Sequence, residues 1–327
     1  MAIGLTQVKL PCTVPGMEDY PTTILQFETR FASEEACREY LVSLRWPDGF
    51  RCPACGHGKA WWIKRGLLHC AMCGRQTSVT AGTIFQDTRK PLRLWFRAMW
   101  YVTSQKSGVS ALGLQRVLGL GSYETAWIWL HKLRRAMVRP GRDRLSGTVE
   151  VDEVYIGGEK SGKRGRGALS KALVLVAAEK DGGGIGRIRL CRVRDASAAS
   201  LHPAITAAVA PGSVLETDGW SGYSGVDKLG YVHYVARDTS EVGEHPLPRC
   251  HRVASLLQRW LLGTHQGAVR PSHLDYYLDE YTFRFNRRTS KSRGKLFYRL
   301  AQQAVAIAPV PEKALGADRS APQNAGG

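Results

Sequence analysis

Three carboxylates sit inside one β-branched run, Thr148-Val149-Glu150-Val151-Asp152-Glu153-Val154-Tyr155-Ile156, which Gly157-Gly158 closes. Read as a strand of period two, the run sets Val149, Val151, Glu153 and Tyr155 on one face and Glu150, Asp152, Val154 and Ile156 on the other. Buried charge is costly unless it is paired or bound to a cation. A metal ion accounts for such a run; an exposed edge strand with solvated acids is the other reading. A second acid is presented in a similar way, since the strand-like Ser213-Val214-Leu215-Glu216-Thr217-Asp218 also ends in a carboxylate followed by a glycine, Gly219. A mixed sheet in which these two strands are neighbours brings Asp152 and Asp218 together.

Cysteine spacing points to a different metal. Of eight cysteines, four form Cys52-Pro53-Ala54-Cys55-Gly56 and Cys70-Ala71-Met72-Cys73-Gly74, fourteen residues apart, while Cys12, Cys37, Cys191 and Cys250 are scattered. Each motif reads as a knuckle whose glycine turns the backbone so that four sulfurs close a tetrahedron, and four thiolates make a structural rather than a catalytic Zn²⁺ site. His57 and His69 are minor competitors as ligands. Residues 60–64 and 67–69 read as a hairpin about Arg65-Gly66, with a third strand over 75–80. Lys59, Lys64, Arg65 and Arg75 edge this ribbon, which either binds DNA or braces its neighbour.

Helices must carry the rest. Ser33 N-caps a helix within residues 1–48, and Trp46-Pro47-Asp48-Gly49 stops it. From Pro91, the positions Leu92, Trp95, Phe96, Met99 and Trp100 mark one packed helix face. A short helix over 109–118, a turn at Gly119-Leu120-Gly121-Ser122 and a helix over 123–137 fit a helix-turn-helix plan. His131, Lys132, Arg134 and Arg135 are its candidate DNA contacts, a solvated basic face being the alternative. The basic linker 139–147 marks a domain boundary. Beyond it, residues 172–178 and 186–193 read as strands and 196–210 as a helix. Lys160, Lys163, Arg164 and Arg166 lie in a Gly-rich loop suited to a phosphate backbone but without P-loop spacing. Arg249, Arg252 and Arg259, with His251 and His265, form a further basic face for phosphate positioning, neither histidine being assigned as a base.

Charge sets the class of partner. Lys and Arg outnumber Asp and Glu 46 to 28, a formal +18, in a chain that is 43% hydrophobic, which predisposes it to a polyanion. No stretch approaches the roughly 20 apolar residues of a membrane span, and the N-terminus lacks the apolar core of a signal peptide. A cytoplasmic, nucleoid-associated protein is expected.

Three segments in combination carry a family resemblance: Val151-Asp152-Glu153-x-Tyr155-Ile156-Gly157-Gly158, Thr217-Asp218-Gly219-x-Ser221-Gly222-Tyr223, and His273-Leu274-x-x-Tyr277-Leu278-Asp279-Glu280 running into Phe283-Arg284-Phe285-Asn286-Arg287-Arg288. With the ribbon, they resemble the bacterial zinc-ribbon insertion-sequence transposases of the DDE type, over roughly residues 30 to 305. The resemblance implies an α/β multidomain chain: a helical segment at 1–48, a zinc ribbon at 49–80, a helix-turn-helix-like region at 84–146, a ribonuclease H-like mixed-sheet catalytic domain at 147–310 and a disordered tail at 311–327. It makes Asp152 and Asp218 the first two ligands of a two-ion Mg²⁺ (or Mn²⁺) site, with Asn286 in third position, Glu280 competing for it, and Arg293 as a nearby basic group. Glu280 and Asn286 lie about 240° apart around one helix, so both cannot face one metal pair. The implied activity is cleavage and strand transfer at the ends of a mobile element in double-stranded DNA by a homo-oligomer. Trp220 and Tyr223, next to Asp218, read either as a stacking platform for an end base or as core aromatics. A non-catalytic zinc-dependent DNA-binding regulator and a structure-selective nuclease are the alternatives.

Overall fold

A computed structural model describes residues 18–139, 141–157, 171–236, 245–267 and 269–310. The basic loop with Lys160, Lys163, Arg164 and Arg166, and the tail from 311, lie outside the described residues. The chain divides into two compact units, Met1–Arg139 with Ser290–Gly327, and Pro140–Thr289.

The first segment of the first unit holds α1 (Ile24–Arg30), α2 (Glu34–Arg45), a three-stranded antiparallel sheet of β1 (Ala60–Ile63), β2 (Leu67–Cys70) and β3 (Gln76–Thr77), then α3 (Leu92–Ser104), α4 (Ala111–Leu118) and α5 (Tyr123–Ala136). Side-chain oxygens of Thr23, Ser33, Ser110 and Ser122 accept backbone N–H groups at the starts of α1, α2, α4 and α5, satisfying donors that a helix start leaves open. Pro91, before α3, offers none. The Glu34 carboxylate fills that place, accepting Leu92 N–H at 3.0 Å and Arg93 N–H at 2.9 Å.

The second unit holds β4 (Thr148–Ile156), β5 (Ala172–Asp181), β6 (Gly184–Val193), α6 (Ala198–Ala208), β7 (Val214–Thr217), β8 (Val232–Val235), α7 (Pro248–His265) and α8 (Leu274–Phe285). Its mixed five-stranded sheet has the order β6-β5-β4-β7-β8. The β4–β5 and β5–β6 pairs are antiparallel, whereas β7 runs parallel to both β4 and β8. The expected alternation along β4 holds. Val149 and Val151 join Leu173, Leu175 and the α6 residues Leu201 and Ile205 in one core, while Ile156, Val174 and Val176 join Val253, Leu257 and Leu261 of α7 and Leu278 of α8 in the other. At Gly222 a Cβ would lie 2.2 Å from the Ala196 carbonyl oxygen, so only glycine fits where the chain after β7 crosses that before α6.

The chain then returns to the first unit in α9 (Arg293–Ala306). Residues 290–310, expected with the catalytic domain, therefore belong elsewhere. Phe297 of α9 is fully buried amid Phe27, Phe31 and Phe96, with ring centroids 5.3, 5.6 and 5.7 Å away. Large aromatic side chains supply most of the apolar burial such a core needs.

Candidate active site and metal centre

Parallel pairing of β4 with β7 runs in register from Thr148 opposite Val214 to Glu150 opposite Glu216. Two residues further along, Asp152 and Asp218 come level on neighbouring strands, whose axes lie about 4.8 Å apart. Asp152 is half-buried; Asp218 is exposed just past the end of β7. The Glu153 N–H donates to Asp152 Oδ1 at 2.8 Å and the Trp220 N–H to Asp218 Oδ1 at 3.0 Å. Burial pushes the Asp152 carboxyl up to about 6, and the neighbouring Glu153 and Asp218 carboxylates add to that, against the Glu153 N–H and the His251 ring, which favour the ionised form. Crowded, incompletely compensated carboxylates fit a hard divalent cation, which relieves their repulsion through oxygen ligands. Glu153 points to the opposite face, where it accepts the hydroxyl of the buried Tyr223.

Helix α7 starts beside these acids because β4 caps it. No side chain at its own N-cap does so. Instead the buried Glu150 carboxylate accepts Arg249 N–H at 2.7 Å and Cys250 N–H at 3.0 Å, and pairs with the Arg249 guanidinium at 3.0 Å. Arg249 also donates to the carbonyls of Gly184 at 2.8 Å and Gly182 at 3.0 Å. Glu150 and Asp152 share a face of β4, so one acid fixes the helix start that the other needs. The next residue of α7, His251, is exposed, stacks on His245 with ring centroids 4.6 Å apart, and acts electrostatically on Asp152.

Several expected residues fall elsewhere. Asn286 ends α8 over the edge strand β6, where its Oδ1 accepts Ile188 N–H at 2.7 Å and its Nδ2 donates to Ile188 O at 3.1 Å. That strand is two places from β4, roughly 10 Å away at the usual strand spacing. Asn286 is thus engaged in a backbone clamp with Ile188, away from the strands that carry Asp152 and Asp218. Glu280 is fully buried and paired with Arg284, 2.7 Å away. Arg293 begins α9 in the other unit. Arg249 spends its donors on Glu150 and two carbonyls, whereas Arg252 and Arg259 are exposed on α7. On α5, His131, Lys132 and Arg134 are buried and only Arg135 is partly exposed, so the basic positions do not form one solvent face. Tyr223 is buried in a core and Trp220 gives its indole N–H to Ala196 O at 2.7 Å, which leaves neither as an open stacking platform.

The four cysteine sulfurs Cys52, Cys55, Cys70 and Cys73 lie within 4.8 Å of one another, the only such cluster of metal-ligating side chains among the described residues. Gly56 and Gly74 adopt φ of 72° and 71°, and their N–H groups return to Cys52 O at 2.9 Å and Cys70 O at 3.2 Å. Those are the two knuckles. The Cys55 N–H bonded to Cys52 sulfur, and the Cys73 N–H bonded to Cys70 sulfur, lower the pKa of both thiols toward the thiolate that binds zinc. This donor set fits a structural Zn²⁺. The His69 ring packs against Trp61, with ring centroids 4.7 Å apart and the planes tilted by 39°.

Both regions are similar to known protein families. Residues 144–286 match the ISXO2-like transposase domain and residues 32–76 the transposase zinc-ribbon domain, together more than half of the chain. The chain is also 27% identical over 279 residues to an uncharacterized protein in transposable element ISH50 of Halobacterium salinarum, an alignment covering 78% of this chain and 91% of that one. The first match spans Asp152 and Asp218, and the second all four ribbon cysteines. The chain belongs to the zinc-ribbon transposases of insertion sequences.

Proposed function

We propose that this transposase cuts and rejoins DNA at the ends of its element, with Asp152, Asp218 and His251 as the groups around the reacting phosphate. The observation that carries the proposal is the parallel register that brings Asp152 level with Asp218 just past the end of β7, with His251, near the helix start that Glu150 caps, close enough to act on the charge of Asp152. The strand order and directions, three antiparallel strands continued by two parallel ones, support a ribonuclease H-like reading of the second unit. Helices α4 and α5, joined across Gly119 at φ 63°, support a helix-turn-helix reading of part of the first.

Asp152 and Asp218 would hold the divalent cations, which would supply Lewis-acid chemistry for an in-line displacement at phosphorus. By holding them there, the two aspartates would orient the phosphate. His251 would offer a nitrogen donor where a third carboxylate would add another negative charge. In cleavage, water forms the new P–O bond and the DNA 3′ oxygen leaves with a proton. In joining, that 3′-OH attacks a second phosphodiester and displaces its 3′ oxygen. Joining two ends requires both in one assembly, so the active species is a homo-oligomer on DNA.

The test uses the DNA flanking the coding region, labelled at the 3′ or 5′ end, with purified protein and Mg²⁺ or Mn²⁺. Wild type is expected to yield 3′-OH ends and joined strands; Asp152→Ala, Asp218→Ala and His251→Ala are expected to yield neither, and Asn286→Ala both. Tight binding of these ends by wild type with no cut in either metal sinks the proposal.

A further inference from the structure

Helix α7 exposes one continuous stripe, His251, Arg252, Gln258, Arg259 and Leu262, opposite the side on which Val253, Leu257 and Leu261 are buried. Gln258 lies seven residues from His251, so it faces the same way about 10 Å along the helix. There the stripe meets a cavity of about 540 Å³ between α7, the end of β4 and the turn before α8, within the roughly 300–1,000 Å³ typical of small-molecule sites. Ile156, Leu261, Val269 and Leu274 make its walls, and Gln258 and Lys171 are its polar handles. Ile156 shares a face of β4 with Asp152, four residues or about 13 Å away. Helix and strand thus measure similar distances from the acids to the cavity.

We infer that this cavity takes one unstacked nucleotide of the DNA strand whose phosphate lies at Asp152 and Asp218, its base between the aliphatic walls and its phosphate near Lys171. The inference rests on the proposed cutting and joining activity and names a subsite of that same centre. Aliphatic walls shelter a base face that has left the stack, and an amide such as Gln258 both donates to and accepts from a base edge. Exposed Arg252 and Arg259 line the intervening path with the charge a phosphate strand requires. At 3.4 Å per stacked step, the cavity stands three or four nucleotides from the cut, and fewer along an unstacked strand.

The test is a set of element-end duplexes with 2-aminopurine at each of the four positions on either side of the cut, bound to full-length protein in magnesium-free buffer. One position should brighten several-fold with wild type and stay dark with Leu262→Glu, which places a negative charge at the exposed mouth, and with Lys171→Glu. Replacing that base by an abasic site should weaken wild-type binding by roughly tenfold or more and leave Leu262→Glu binding unchanged. Both variants should keep the wild-type melting temperature, which separates loss of the subsite from misfolding. Cutting and joining with no brightened position overturns the subsite and leaves the proposed function standing. Brightening that survives in both variants also overturns it, since the base then unstacks elsewhere. Absence of both end binding and cutting overturns the proposed function and the subsite with it.

Discussion

Asp152→Asn should make the protein more stable while abolishing its chemistry. The Asp152 carboxyl is raised from 3.8 to about 6, first by burial and then by Glu153 and Asp218. Two pH units at about 1.4 kcal/mol each amount to about 3 kcal/mol of cost to the ionised folded state. The sign follows from linkage. An acid whose folded value is raised binds its proton more tightly folded than unfolded, so stability falls as pH rises from about 4 to about 6, and the full cost is present above that. Asparagine resembles the protonated acid in shape and keeps an oxygen for the Glu153 N–H now 2.8 Å away. At pH 7.5 without magnesium, Asp152→Asn should therefore melt roughly 6 to 12 °C higher, at 2 to 4 °C per kcal/mol for a unit of this size. At pH 4 the difference should shrink toward zero. Thermal unfolding followed by circular dichroism at both pH values measures it. Added Mg²⁺ or Mn²⁺ should raise the wild-type transition and leave that of the variant in place. A variant no more stable than wild type at pH 7.5, or equally advantaged at pH 4, refutes the account of Asp152 as a carboxylate strained in its metal-free state.

Other perturbations separate the remaining roles. A nitrogen donor at His251 favours Mn²⁺ over Mg²⁺, so wild type should cut faster with Mn²⁺ and His251→Glu should narrow or reverse that preference; an unchanged metal ratio in His251→Glu removes the histidine from the ligand set. Glu150→Gln leaves half-buried Arg249 without its charge partner and should cost about 3 kcal/mol in denaturant unfolding, with a fall in turnover larger than any change in DNA affinity, whereas loss of affinity alone argues against positioning of His251. Phe297→Ala should destabilise the first unit by about 3 to 5 kcal/mol, read as a lowered denaturant midpoint, and a change under about 1 kcal/mol contradicts the aromatic hub. Cys52→Ser should lose the bound zinc found in wild type by metal analysis, and retention of a full equivalent rules out the four-cysteine centre.

What the sequence made legible was chemistry carried by short local patterns. Cys-x-x-Cys-Gly twice over specifies both ligand and turn, and Gly56 and Gly74 adopt the positive φ that this reading needs. Asp152 and Asp218 each stand out as an acid in or at the end of a β-branched run followed by glycine. Periodicity also sorted the two faces of β4 correctly. It could not say which strand a helix lies against. The angle between Glu280 and Asn286 was sound within α8, yet α8 packs on β6, and that remote choice turns Asn286 to Ile188. On α5 the charge pattern offered a basic face, but helix packing set His131, Lys132 and Arg134 inside. The sequence placed His251 only on a basic face, because its closeness to Asp152 depends on Glu150, 101 residues earlier in the sequence, reaching the start of α7. The four-residue β8 and seven-residue α1 are too short for periodicity to register.

The return of α9 has a consequence for the order in which the protein can be made. A ribosome finishes Pro140–Thr289 before Phe297 exists, so that unit can close its cores on the nascent chain while the aromatic cluster of Phe27, Phe31 and Phe96 still waits for its central ring. Translation that stops near residue 289 releases Asp152 and Asp218 on a complete sheet, attached to a first unit with an open apolar cavity. Such a fragment is a substrate for proteases and chaperones, and completion of the last helix acts as a checkpoint on every copy synthesised.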